Sequence, residues 1–140
     1  MAVGTCAASE SDRQFQREFE AGRIPPGEFN HVAHLRLVYV YLVEGGLLHA
    51  EQRMRESLRN FISANGIAST KYHETLTRAW VMAVCHFMQR KCSLSFSEFA
   101  ANSQPLLDSK VMLTHYSAEA LFSEHARARF VAPDLQAIPC

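Results

Sequence analysis

The chain has 140 residues, 48% of them hydrophobic, and Lys+Arg 14 balance Asp+Glu 14 to a formal charge of zero. That length, with no Pro/Gly/Ser-rich linker, predicts one domain (residues 1–140) with a real core. Balanced charge leaves no electrostatic footprint for nucleic acid or an anionic membrane surface, and no run approaches the ~18 apolar residues of a membrane span.

The first residues lack the basic start and apolar stretch of a signal peptide, so residues 1–8 read as a frayed, cytoplasmic N-terminus. A first helix is expected from Ser9 to about Ala21, anchored by Phe15 and Phe19 and stopped by Gly22. Arg23-Ile24-Pro25-Pro26-Gly27 is a stiff connection that helix cannot cross. Asn30 is a good cap for a second helix running to Gly45-Gly46. Its stripe is His31, His34, Leu35, Val38, Tyr41 and Leu42, and its other faces are apolar too, which marks a central helix.

The third helix, Ala50 to about Ala64, places Met54, Leu58, Phe61 and Ile62 inward. Glu51, Arg53, Arg55, Glu56 and Arg59 form its solvated side. The fourth opens near Ser69-Thr70 and runs to about Lys91, with His73, Leu76, Thr77, Trp80, Ala83, Val84, Phe87 and Met88 inward. Shorter helices follow: one at the capping-box pattern Ser95-Phe96-Ser97-Glu98, another from Asp108 to Thr114, and a last from Ser117 to Phe130. The proline-rich tail 131–140 should strap over the bundle. With no period-2 segment, the class is all-α, a compact bundle of about six to seven helices.

The four cysteines, Cys6, Cys85, Cys92 and Cys140, contain no Cys-x-x-Cys pair. They read as buried or surface thiols, not as a zinc knuckle or disulfide framework.

Histidine carries the functional signal. His31 and His34, three residues apart, share a helix face. Short connections make the second and fourth helices parallel, which predicts that His73 lies level with the pair. Three inward imidazoles, kept neutral by helix N-termini, suit one transition-metal ion. Glu74 is then a fourth ligand, an acceptor for a ligand's Nδ1 proton, or a general base; its plain alternative is an ion pair with Arg78. Tyr116 joins Glu74 as a catalytic candidate, and Arg36, Tyr72 and Thr77 are substrate-binding candidates, with His115 beside them. His49, His86 and His125 read as solvent-facing or structural.

The words Phe29-x-His31-x-x-His34-Leu35-Arg36, Tyr72-His73-Glu74-Thr75, His115-Tyr116-Ser117, Ala126-Arg127 and Pro133-Asp134-Leu135 resemble a family of small bacterial all-α proteins of unassigned function. The similarity spans about Phe29 to Pro139. The resemblance implies that these words travel together and that the three histidines, Glu74 and Tyr116 share a site.

The resulting expectation is a small cytoplasmic metalloenzyme with a mononuclear His31/His34/His73/Glu74 site holding Fe, Cu, Zn or Mn and acting on a small-molecule substrate. The donor set favours an oxidoreductase over metal-activated hydrolysis or hydration. A non-catalytic binding or interaction module and metal-free acid/base catalysis are the alternatives. No Gly-rich phosphate loop or Ser-His-Asp pattern is present. No nucleic-acid or membrane partner is expected, and the oligomeric state stays open, a homodimer included.

Overall fold

The computed structural model describes residues 6–139. Ser9 caps α1 (Glu10–Glu20): its hydroxyl accepts from the Asp12 amide at 3.1 Å, and the Asp12 carboxylate accepts from the Ser9 amide at 3.0 Å. The buried Asp12 carboxylate also takes the Phe96 amide and Arg36 Nε, each at 2.9 Å, so it ties three segments together. Burial would raise its carboxyl, but the Phe96 and Ser9 amides and Arg36 outweigh that and hold it below its ordinary value.

Asn30 caps α2 (His31–Gly45) as expected, accepting from the Ala33 amide at 2.9 Å. Leu35 and the run Leu37 to Leu42 are buried, so α2 is the central helix its all-round hydrophobicity predicted. Gly46, at φ +86°, reverses the chain within one residue, and α3 (Leu47–Ala64) begins at Leu47 rather than Ala50.

The start of α4 (Glu74–Arg90) corrects the sequence reading. Ser69–Lys71 is a separate 3-10 turn, Tyr72 is extended, and His73 is the cap, not a residue of the first turn. Hydroxyl caps at Ser69 and Thr70 lost to His73, whose Nδ1 accepts from the Leu76 amide at 3.1 Å. Ser95 caps α5 (Phe96–Ala101) through the Glu98 amide, and 3-10 turns follow at Gln104–Leu107 and Ser109–Thr114. The helix expected from Ser117 to Phe130 is broken into α6 (Ala118–Leu121) and α7 (Glu124–Ala128). Ser117 and Ser123 each start a helix by accepting an amide three residues on, and the extended backbone this requires at Ser123 ends α6.

The tail is a strap, as predicted. The Tyr116 hydroxyl donates to the Val131 carbonyl at 2.5 Å, Asp134 accepts from the Ser117 amide and hydroxyl, and Ile138 is buried. At the other end, residues 6–8 are docked rather than frayed: Cys6 is buried and the Ala7 amide donates to the Ser93 carbonyl at 2.8 Å. The rest of the segment expected to fray, residues 1–5, and Cys140 lie outside the described residues. The described chain is one all-α domain without strands, and none of its helices is long and apolar enough to cross a membrane.

Candidate functional site

His31 occupies the first position of α2. Its Nε2 donates to the Leu106 carbonyl at 2.9 Å, and its ring stands edge-on to Trp80, with centroids 4.7 Å apart. Trp80 is buried, as expected, but it lies seven residues beyond His73 in α4. The start of α2 is thus level with the Trp80 turn, and the His73 cap sits about 10 Å further along the bundle axis. The second and fourth helices are offset because the 3-10 turn at Ser69–Lys71 and the extended Tyr72 shift the α4 start.

His34 is next to His31 and meets Phe29 edge-on at 6.0 Å. Burial, with His31 adding to it, pushes its imidazole down to about 4, although part of the residue still touches solvent. His34 is therefore neutral at pH 7.

His73 has both ring nitrogens committed to backbone. Besides the Leu76 amide on Nδ1, its Nε2 donates to the Leu121 carbonyl at 2.8 Å, and the Thr77 hydroxyl donates to the His73 carbonyl at 2.8 Å. Burial pushes its pKa below the ordinary value, partly opposed by the Leu121 carbonyl. This histidine joins α4 to the end of α6. Among the described residues no group of three or more His, Cys, Asp and Glu side chains is arranged to hold a metal ion, so the three imidazoles are not gathered into one set.

Glu74 pairs with Arg55, not Arg78. The guanidinium holds both carboxylate oxygens, at 3.0 and 2.6 Å, and the Tyr72 hydroxyl donates to one of them at 2.7 Å. Arg55 first, then Tyr72, keep the Glu74 carboxyl below its ordinary value against the opposing effect of burial. Burial and the Glu74 bond push the Tyr72 hydroxyl up to about 12. One turn along, Arg78 pairs with the buried Glu51 at 3.2 Å. The two pairs form a ladder between antiparallel helices: Glu51 and Arg55 in α3 face Arg78 and Glu74 in α4.

The remaining candidates are dispersed. Arg36 is spent on Asp12 and Ser11 and stacks on Phe15 at 4.9 Å. Tyr116 is fully buried and clamps the tail, and His115 Nδ1 donates to the Gln136 carbonyl at 2.8 Å. His49 is bonded to Glu44 at 2.8 Å, and His86 stands edge-on to Phe87.

What the sequence reading missed is a groove beside the ladder. It has a volume of about 560 Å³ and is lined by Arg59, Ile62, Ser63, Gly66, Ile67, Ser69 and Tyr72. Arg59 lies over the Tyr72 ring, 4.8 Å from its centroid, and no carboxylate pairs with it among the described residues. Arg55 and Arg59 were read as solvated charges because their outward spacing fits an exposed helix face. The available signal was the reversed charge order, Glu-x-x-x-Arg in α3 against Glu-x-x-x-Arg in α4 running the other way.

No protein-family model matches the chain, nor does any curated protein or any solved structure. The resemblance drawn from the His31/His34, Tyr72-His73-Glu74 and His115-Tyr116 words rests on those words alone.

Proposed function

We propose that this protein is a small-ligand-binding helical module whose groove between α3 and the α3–α4 connection takes a small organic carboxylate with an apolar body. The observation that carries this reading is Arg59, a cation lying over the Tyr72 ring with no acidic partner among the described residues, in a groove with no carboxylate in its lining. A guanidinium so placed offers a planar fork to a carboxylate. Ser63 and Ser69 supply hydroxyls, and Ile62 and Ile67 supply apolar flanks. Binding without turnover is favoured because Glu74, the carboxylate bonded to Tyr72 of the groove lining, is already engaged by Arg55 and Tyr72. A carboxylate held below its ordinary pKa is a weak general base. Calorimetric titration with benzoate and hexanoate tests it. Binding of both, absence of binding by benzyl alcohol, and loss on Arg59→Ala are expected; equal binding by the alcohol, or by the Arg59→Ala variant, would overturn it.

A metal-dependent enzyme, oxidoreductase or hydratase, is the second reading, favoured by one observation: His31 and His34 are adjacent, and His34 is kept neutral, as a ligand must be. Iron, copper or zinc would there take His31 and His34. His73, about two helical turns away and bonded to Leu76 and Leu121, lies outside that pair. Elemental analysis of protein purified without a metal-affinity tag separates the readings: one equivalent of metal, lost on His34→Ala, supports this one.

A further inference from the structure

Cys6 and Cys92 meet where the N-terminal segment crosses the connection between α4 and α5. The Ala7 amide donates to the Ser93 carbonyl at 2.8 Å; the Tyr39 hydroxyl donates to the Ala7 carbonyl at 2.7 Å and lies 3.2 Å from that of Ser93. Each cysteine immediately precedes one of these clamped residues. The two thiols are within hydrogen-bonding reach of each other, and Cys6 Sγ also donates to the Met88 carbonyl at 3.7 Å. Cys6 is buried, Cys92 is exposed, and neither is in a disulfide.

We propose that Cys6 and Cys92 form a reversible redox pair, closed to a disulfide by low-molecular-weight disulfides such as glutathione disulfide. The exposed Cys92 reacts first: its thiolate attacks one sulfur of glutathione disulfide, the S–S bond breaks, and one glutathione leaves as a thiolate that takes up a proton. Cys6 then loses its proton and attacks Cys92 Sγ, expelling the second glutathione. The two protein thiols give up two electrons in all, and the small disulfide takes them. Burial raises the Cys6 thiol and keeps it protonated, which leaves the first attack to the exposed Cys92; Cys6 reacts only once the mixed disulfide is held beside it. The bond ties the N-terminal segment to the α4–α5 connection and closes a long loop of chain. Cys85, fully buried within α4, takes no part.

The test is incubation of the full chain with glutathione disulfide, alkylation of remaining thiols, and tryptic mass mapping without reduction. A single linked species joining the peptide that ends at Arg13 to the one that ends at Lys110 is expected, lighter by two hydrogens than the reduced pair. The melting temperature should rise by about 10 °C and return on reduction. Cys6→Ala should trap glutathione on Cys92, and Cys140→Ser should leave the link intact. Glutathione persisting on Cys92 in the wild type, or Cys92 linked to Cys140 or to a second chain, would overturn the proposal.

Discussion

The His31 ring stands edge-on to Trp80, and this contact marks how α2 and α4 are offset. The offset separates the His31/His34 pair from His73 by about two helical turns. His73 is free of the pair and serves the backbone, as the cap of α4 and the donor to Leu121.

His73→Ala should therefore cost about 2–3 kcal/mol, a lost cap plus a carbonyl left without its donor. His73→Asn, which restores a capping oxygen, should recover about 1 kcal/mol of this. Urea unfolding of the two variants checks the difference. Equal stability of both would mean that the capping bond contributes nothing.

The ladder between α3 and α4 gives an ordered pair of effects. Arg55→Ala strips two of the three hydrogen bonds from Glu74, whose side chain is only 11% exposed, and should cost about 2 kcal/mol after allowing for the partial exposure of Arg55 itself. Arg78→Ala removes a single 3.2 Å bond and a contact over Phe130, and about 1 kcal/mol is expected. The reverse order in thermal unfolding would show that the Glu51 pair holds the helices together.

Burial of neutral imidazoles makes stability pH-dependent. His34 binds its proton near 6.5 when unfolded and only at about 4 when folded, so the unfolded chain takes up the proton first. Its contribution is complete above pH 6.5 and is lost as pH falls toward 4, about 2 kcal/mol once its partial exposure is allowed for. His73 changes stability with the same sign. Below this window Glu74 and Asp12, both held below their ordinary values, lose their own contributions as they protonate. In His34→Leu the slope between pH 6.5 and 4 should shrink; an unchanged slope would place the imidazole in water.

Much of the scaffold was legible because the cues were local. Ser9, Asn30 and Ser95 are hydroxyl or amide caps next to apolar periodicity, and Gly46 is a stop with a positive φ. Trp80 followed from its place on the inward stripe of α4. The candidate site was less legible, for a physical reason. The alignment of His73 with His31 depends on the relative shift of two helices, and a turn of only three residues at Ser69–Lys71 moves that shift by more than the size of an imidazole. Nothing local to His73 distinguishes a ligand from a cap. Arg55 and Glu74 met for a similar reason: their partnership is a property of two antiparallel faces, visible only when the charge order of both helices is compared.

The ring contact that marks the offset can be tested in turn. Trp80→Phe should keep the ring contact with His31 and cost about 1 kcal/mol, whereas Trp80→Ala should cost about 3–5 kcal/mol through the cavity it leaves. Equal loss in guanidinium unfolding would show that the indole, not its packing volume, is what His31 requires.

Binding at the Arg59 groove is tested most directly by following the ¹H–¹⁵N spectrum of the full chain while benzoate is added. The Arg59 Nε–H and the amides of Gly66, Ile67 and Tyr72 should shift together and saturate on one curve, with His31 and His34 unmoved, and Arg59→Ala should abolish the shifts. Shifts confined to the start of α2, around His31, His34 and Trp80, or saturable shifts that persist in Arg59→Ala, would contradict binding at this groove.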